Sequence, residues 1–220
     1  MTIRLFIGTS ANGEDTRAER AYESSLREHA SEELEIVWMR QSNDPTSFWH
    51  GWNTDTWATP FSGFRWGIAE YCNFEGRAIY TDVDMINLKD IALLNQTDMK
   101  GKPIAAREGT RFGGHEFCVM VIDCAVMKHF MNIPLARFKS QAHSHQRMIQ
   151  FFSGDHNLVE SLDPRWNCLD GENRSIDDIW QLHFTNMSTQ PWKPAWFKGP
   201  TQTHPRDDLV SLWESYANNN

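Results

Sequence analysis

Two carboxylates at i and i+2, Asp82 and Asp84, close the apolar run Arg77–Ala78–Ile79–Tyr80–Thr81. Such a run reads as a buried strand, and continued alternation sends both carboxylates to one side. In open α/β sheets, ligands bind at the carboxyl ends of strands. Two carboxylates held together repel, and a divalent cation between them relieves the repulsion. The same D-x-D pattern arises where two aspartates cap a loop, and the motif alone does not separate the two. A second group is His183, in Gln181–Leu182–His183–Phe184–Thr185, followed by Pro191–Trp192–Lys193–Pro194. A neutral imidazole can be the third ligand of manganese, whose other ligands are carboxylates and phosphate oxygens, and Lys193 would then be a point charge beside those phosphates. A lone strand histidine more often hydrogen-bonds the backbone. The pairing with Asp82 and Asp84 is what gives His183 chemistry.

These residues need elements to position them. Residues 3–8 read as a first strand, 9–13 as a loop, 15–29 as a helix and 35–39 as a second strand, a βαβ opening. Residues 42–61 form a long aromatic loop, which argues for an ordered, functional segment. Residues 62–72 read as a helix, 77–81 as the strand before Asp82, and 89–94 as a helical turn. Strands are expected over 103–106, 117–123 and 179–185, and helices over 124–138, 144–152 and 207–216. Residues 164–167 read as a turn, and 190–203 as a loop rich in Pro and Trp. No repeat, linker or low-complexity tract divides the chain.

The chain has 220 residues and a net charge of −8, with 21 basic and 29 acidic residues. Basic residues are scattered, so a nucleic-acid partner is not expected. No apolar stretch approaches the ~18–20 residues of a membrane span. Residues 1–10 read as a first strand without the features of a signal peptide, and a cytoplasmic protein is expected. Cys72, Cys118, Cys124 and Cys168 match no zinc or redox spacing and read as buried, reduced thiols. There are 10 tryptophans, seven of them in two segments: Trp49, Trp52, Trp57 and Trp66, then Trp180, Trp192 and Trp196. Indole faces can stack on sugar rings, so Trp49, Trp52 and Trp57 are candidates for contact with a carbohydrate. The competing expectation is that they cap the core beneath the long loop. The sequence sets no oligomeric state.

Several stretches, in order, resemble the GT-A glycosyltransferases, in particular glycosyltransferase family 8 and its relatives. Residues 77–85, with Asp82–Val83–Asp84, resemble the family's strand and metal motif. Phe6–Ile7–Gly8–Thr9–Ser10 with Asn12 resembles its nucleotide-binding loop, and residues 60–66, with Arg65, its donor-contacting segment. Residues 89–94, 119–123 and 163–167 resemble the following helix, the G-V-x-L-I-N strand and the late R-W-N turn. His183–Phe184–Thr185 with Lys193–Pro194 resembles the closing H-F-x-G…K-P-W motif. Of the family's D-Q-D, only Gln146 persists, in His145–Gln146–Arg147, and Glu116 stands where a small or amide residue is usual.

The resemblance implies a GT-A (Rossmann-like) α/β fold, one domain over residues 1–220, with a central mixed, mostly parallel sheet flanked by helices. It implies a retaining transfer of a hexose from a nucleoside diphosphate sugar, with UDP expected, to a carbohydrate or other hydroxyl acceptor. Asp82, Asp84 and His183 would hold Mn(2+) or Mg(2+). Gly8, Thr9, Ser10, Asn12, Arg65, Asp82, Val83 and Lys193 would bind the donor. Gln146 and Arg65 would act at the reacting sugar, and Glu116 would join the tryptophans on the acceptor side. Two alternatives share these features: a catalytically silent sugar-nucleotide or carbohydrate-binding module, and a nucleotidyltransferase. The latter usually opens on a Gly-rich loop, of which residues 8–13 are a poor version.

Overall fold

The run IRLFIG becomes strand β1 (Ile3–Gly8), with every residue but Arg4 withdrawn from solvent. The computed structural model describes residues 2–109 and 114–218. Helix α1 (Thr16–His29) buries Ala18, Ala21, Tyr22 and Leu26, the stripe expected from its periodicity. It returns the chain to β2 (Leu34–Met39), parallel to β1. A 3-10 turn (Phe64–Gly67) and the short helix α2 (Ile68–Tyr71) then lead to β3 (Arg77–Asp82), which lies parallel on the other flank of β1.

Strand β4 (Met85–Asn87) follows the two aspartates at once, and α3 (Ile91–Asn95) is capped by Asp90. Next come β5 (Ile104–Glu108), β6 (His115–Asp123), α4 (Cys124–Met127), α5 (Leu135–Ser140) and α6 (Ser144–Ser153). The chain ends with β7 (Val159–Ser161), β8 (Cys168–Leu169), β9 (Gln181–His183) and α7 (Asp207–Ala217).

Six strands form the main sheet in the order β2-β1-β3-β6-β5-β7, and β4-β9-β8 form a small second sheet. Strand β6 alone runs antiparallel to its neighbours in the main sheet, so that sheet is mixed and mostly parallel, as expected. The order reverses at β1, with β2 on one side and β3 on the other. That switch point leaves a crevice beyond the carboxyl ends of β1 and β3. Ile7, Ile79, Tyr80 and Val121 are fully buried around it, each contributing ~1.5–3 kcal/mol by leaving water.

Three expectations need correction. Residues 124–138 are not one helix. Asp123 caps α4 through Val126 N–H, and the chain then passes through a 3-10 turn before Pro134 starts α5. Proline lacks the amide that a continuous helix would need there. Strands β4 and β7 were not foreseen, being only three residues each.

The third correction concerns the tryptophans, which form a satellite core. Trp49 stacks on Tyr71 at 5.5 Å, and Trp52 and Trp57 both stand edge-on to Phe64. A side chain at Gly63 would lie 2.1 Å from the Trp57 ring, so glycine is what lets that indole close down. Trp52 is only 3% exposed. Trp49 and Trp52 are buried against other rings and are not open for an acceptor to stack on, and Trp57 lines neither cleft beside the aspartates.

Candidate active site

The parallel register sets Gly8 opposite Asp82. A Cβ at Gly8 would meet the Phe61 ring at 2.7 Å and the Tyr80 hydroxyl at 3.0 Å, so glycine leaves that hydroxyl its place. Tyr80 donates to Asp82 Oδ1, and Arg65 Nη2 reaches the same oxygen at 3.1 Å. The other Arg65 nitrogens are committed too: Nε donates to Ser62 O at 2.6 Å and Nη1 to Phe117 O. The guanidinium also lies 4.3 Å over the Tyr80 ring. Arg65 is thus a strut under Asp82, and it also lines the cleft where the resemblance sets it against the donor. Burial pushes the Asp82 carboxyl above its ordinary range. Arg65 pulls it back, and Asp84 adds to the rise.

Asp84 meets His183 because β4 pairs antiparallel with β9, Met85 against His183. His183 Nε2 lies 3.3 Å from Asp84 Oδ1. His183 Nδ1 lies 2.9 Å from Asn167 Oδ1, and Asn167 Nδ2 donates to Glu116 Oε2 at 3.3 Å. That chain assigns the amide orientation and puts the neutral imidazole proton on Nδ1. The Nε2 lone pair then faces a carboxylate oxygen that is buried with no hydrogen-bond donor among the described residues. Two lone pairs in that position require a proton or a cation between them. Burial alone would lower the His183 pKa, but Asp84 and then Asp82 outweigh it and the net shift is upward. Asp84 thus pairs with His183, while among the described residues the donor atoms close enough to share one divalent cation are those of Asp82, Cys118 and His183.

An open cleft of about 400 Å³ lies over these groups, lined by Arg65, Asp82, Asp84, Cys118, His145 and His183. A second cleft of about 360 Å³ continues from it past His115, Glu116 and Asn167. Cys118 contradicts the expectation of a buried thiol: Cys72, Cys124 and Cys168 are buried, but Cys118 is half-buried and lines both clefts. Asp82, Cys118 and His183 each bring one ligand atom within 4.8 Å of the others.

Gln146 is not at the cleft. Its amide donates to Thr56 O at 2.6 Å, which pins the aromatic loop to α6. His145, one residue earlier, occupies the cleft wall. Its Nδ1 accepts from Trp66 Nε1 at 2.9 Å, so the neutral ring carries its proton on Nε2. Burial, with Arg65 nearby, drives its pKa down to about 3. The unfolded chain binds this proton below its ordinary 6.5, and the folded chain does not. The contribution is intact above pH ~6.5 and is lost as pH falls toward 3, to a ceiling of about 5 kcal/mol. His145→Gln keeps an acceptor for Trp66 and should flatten the acid limb of a plot of Tm against pH. An unchanged limb would show that another group sets it.

On the donor side Gly8, Thr9 and Ser10 are buried, whereas Asn12 is exposed. Thr9 donates to Glu19 at 2.6 Å, and Ser10 N–H donates to Asp15 at 3.0 Å. Asn12 has φ 61° in the turn Ala11–Gly13. Val83 is buried, and its N–H donates to Gly8 O at 3.0 Å. Trp196 Nε1 donates to Ser10 Oγ at 2.6 Å, closing the late loop onto the early one. Lys193 Nζ donates to Met187 O at 2.9 Å and Gln190 O at 2.7 Å, so it braces that loop. Only about 10 Å³ remains between Phe61, Val83, Asp84, Trp192 and Trp196.

No family model and no curated protein matches the sequence. Solved structures do match. The apo form of the glycosyltransferase GlyE from Streptococcus pneumoniae TIGR4 aligns with 100% of this chain at a TM-score of 0.67 and 14% identity. The chain has the GT-A fold. It spans 61% of the GlyE chain. The galactosyltransferase LgtC, solved with donor and acceptor sugar analogues, aligns at a TM-score of 0.58 and 12% identity, covering 97% of this chain and 96% of its own. Mouse xyloside xylosyltransferase 1 aligns at 0.56 and 13% identity, covering 84% and 98%. Among the described residues, no helix is long and apolar enough to cross a membrane.

Proposed function

We propose that this GT-A protein is a glycosyltransferase that moves a hexose from a nucleoside diphosphate sugar, with UDP as the nucleotide, to a carbohydrate or other hydroxyl acceptor, with retention. The observation that carries this is the unpartnered Asp84 Oδ1 facing His183 Nε2 at 3.3 Å, beside Asp82 at the switch point of the sheet. Asp82, Asp84 and His183 would hold Mn(2+) or Mg(2+). When bound, the cation supplies Lewis-acid neutralisation of the departing diphosphate.

The protein's own groups prepare the site. Arg65 and Tyr80 fix the Asp82 carboxylate, and Asn167 fixes the His183 tautomer. His145 offers a neutral Nε2–H on the cleft wall, suited to a sugar hydroxyl or a developing negative charge. The continuation past His115 and Glu116 is the proposed acceptor side, where His115 Nδ1 is buried without a hydrogen-bond partner among the described residues. Thr9, Ser10 and Asn12 would meet the nucleotide once Trp196 lifts, and Lys193 would then be released toward its phosphates.

A second reading is a module that binds sugar nucleotides without turnover, favoured by the withdrawal of Gln146 and the covering of Ser10. One experiment separates the two. A panel of UDP-sugars is incubated with the protein, with and without manganese, and both UDP release and Tm are followed. Manganese-dependent release supports the enzyme. A rise in Tm without release supports the module, and neither response to any donor overturns both.

A further inference from the structure

We propose that Cys118 is a ligand of the same cation, making a mixed oxygen, nitrogen and sulfur site that favours thiophilic divalent ions over magnesium. This rests on the metal reading above and adds a ligand to it. The placement follows from the register. Strand β6 runs antiparallel beside β3 with Val119 against Thr81, so one step toward the crevice sets Cys118 across from Asp82. The sulfur then shares a sphere with Asp82 and His183, all three ligand atoms lying within 4.8 Å of one another.

Position within the fold sets this cysteine apart. Cys72, Cys124 and Cys168 are buried away from the clefts, whereas Cys118 lines both. Two of its companions are more than nine-tenths buried at the side chain: His183 is 5% exposed and Asp82 9%. They are held by Asn167 and by Arg65 with Tyr80, so the group is preorganised. Magnesium is a hard ion that takes oxygen ligands, whereas cobalt, zinc and cadmium accept sulfur and imidazole together. Coordination would form one metal–sulfur bond and release the thiol proton to solvent.

Cobalt(II) tests this, because sulfur ligation has its own optical signature. The 220-residue chain is titrated with cobalt chloride and its spectrum recorded. The expected result is ligand-field bands in the visible together with a sulfur-to-cobalt charge-transfer band in the near ultraviolet. Cys118→Ser should keep the former and lose the latter. It should also lower the preference for cadmium over magnesium roughly tenfold or more. Ligand-field bands without charge transfer in the parent would overturn Cys118 ligation and leave the metal site standing. No spectral response at all would overturn the metal reading and this proposal with it.

A second measurement needs no variant. Cadmium should slow alkylation of Cys118 by iodoacetamide, mapped by mass spectrometry, by roughly tenfold. An unprotected Cys118 at saturating cadmium would also overturn the assignment.

Discussion

Replacing Arg65 with Met should cost about 3–5 kcal/mol of folding stability, the penalty for breaking a buried ion pair from one side. Arg65 is 5% exposed and satisfies three acceptors at once: Ser62 O, Phe117 O and Asp82 Oδ1. Methionine fills much of the volume but donates to none of them, so each loses a partner at ~1–3 kcal/mol in isolation. The loss should depend on pH. Arg65 is the leading influence that lowers the Asp82 pKa, so its removal drives that carboxyl further upward. A carboxyl raised in the folded state contributes stability that is present below the unfolded pKa and lost as pH rises through the folded one. The penalty should therefore be larger at pH 7 than at mildly acidic pH. Urea unfolding at the two pH values measures it. A loss under ~1 kcal/mol at neutral pH would mean that water replaces the guanidinium without cost.

Asp84→Asn should abolish most turnover, about 10²–10³-fold in kcat, while leaving the fold intact or firmer. The amide has nearly the shape of the carboxylate. Its N–H can donate to the His183 Nε2 lone pair now facing Asp84 Oδ1, and its oxygen can still accept from Gln190 Nε2. The substitution thus satisfies by hydrogen bond what the proposed site satisfies by cation. Tm without metal should hold or rise, and the rise produced by manganese in the parent should vanish. Full turnover with unchanged metal dependence in Asp84→Asn would falsify the assignment of Asp84 as a ligand.

The strand before Asp82 was legible because an apolar run ending in two carboxylates has few other interpretations. The partnership of Asp84 with His183 was suggested by residue types and by the resemblance, without any periodicity to place it. The β4–β9 pairing that brings them together is three residues on each strand, too short to leave a periodic signal. Cys118 is set by register, and a slip of one residue would have turned it to the other face of the sheet. On α6, residues 145 and 146 are separated by a helical step of about 100°, and that step decides which one lines the cleft. Sequence expectation placed Gln146 nearest the sugar, and the structure gives His145 the cleft wall. The tryptophans show a different limit. Residue type makes an indole suited to a ligand or to a core, and only the close approach permitted at Gly63 shows that Trp57 serves the core.

If Ser10 meets the nucleotide as proposed, its contact with Trp196 has a kinetic consequence. A nucleotide that needs the space beneath Trp196 can bind only the fraction of molecules in which that indole has lifted. Its measured Kd is the intrinsic value divided by that fraction, so every ~1.4 kcal/mol of closure weakens binding tenfold. Association then runs at the pace of the lifting once ligand is abundant, and its observed rate levels off with concentration where a preformed pocket would keep accelerating. Weakening the latch, as in Trp196→Phe, should tighten apparent affinity by quickening capture.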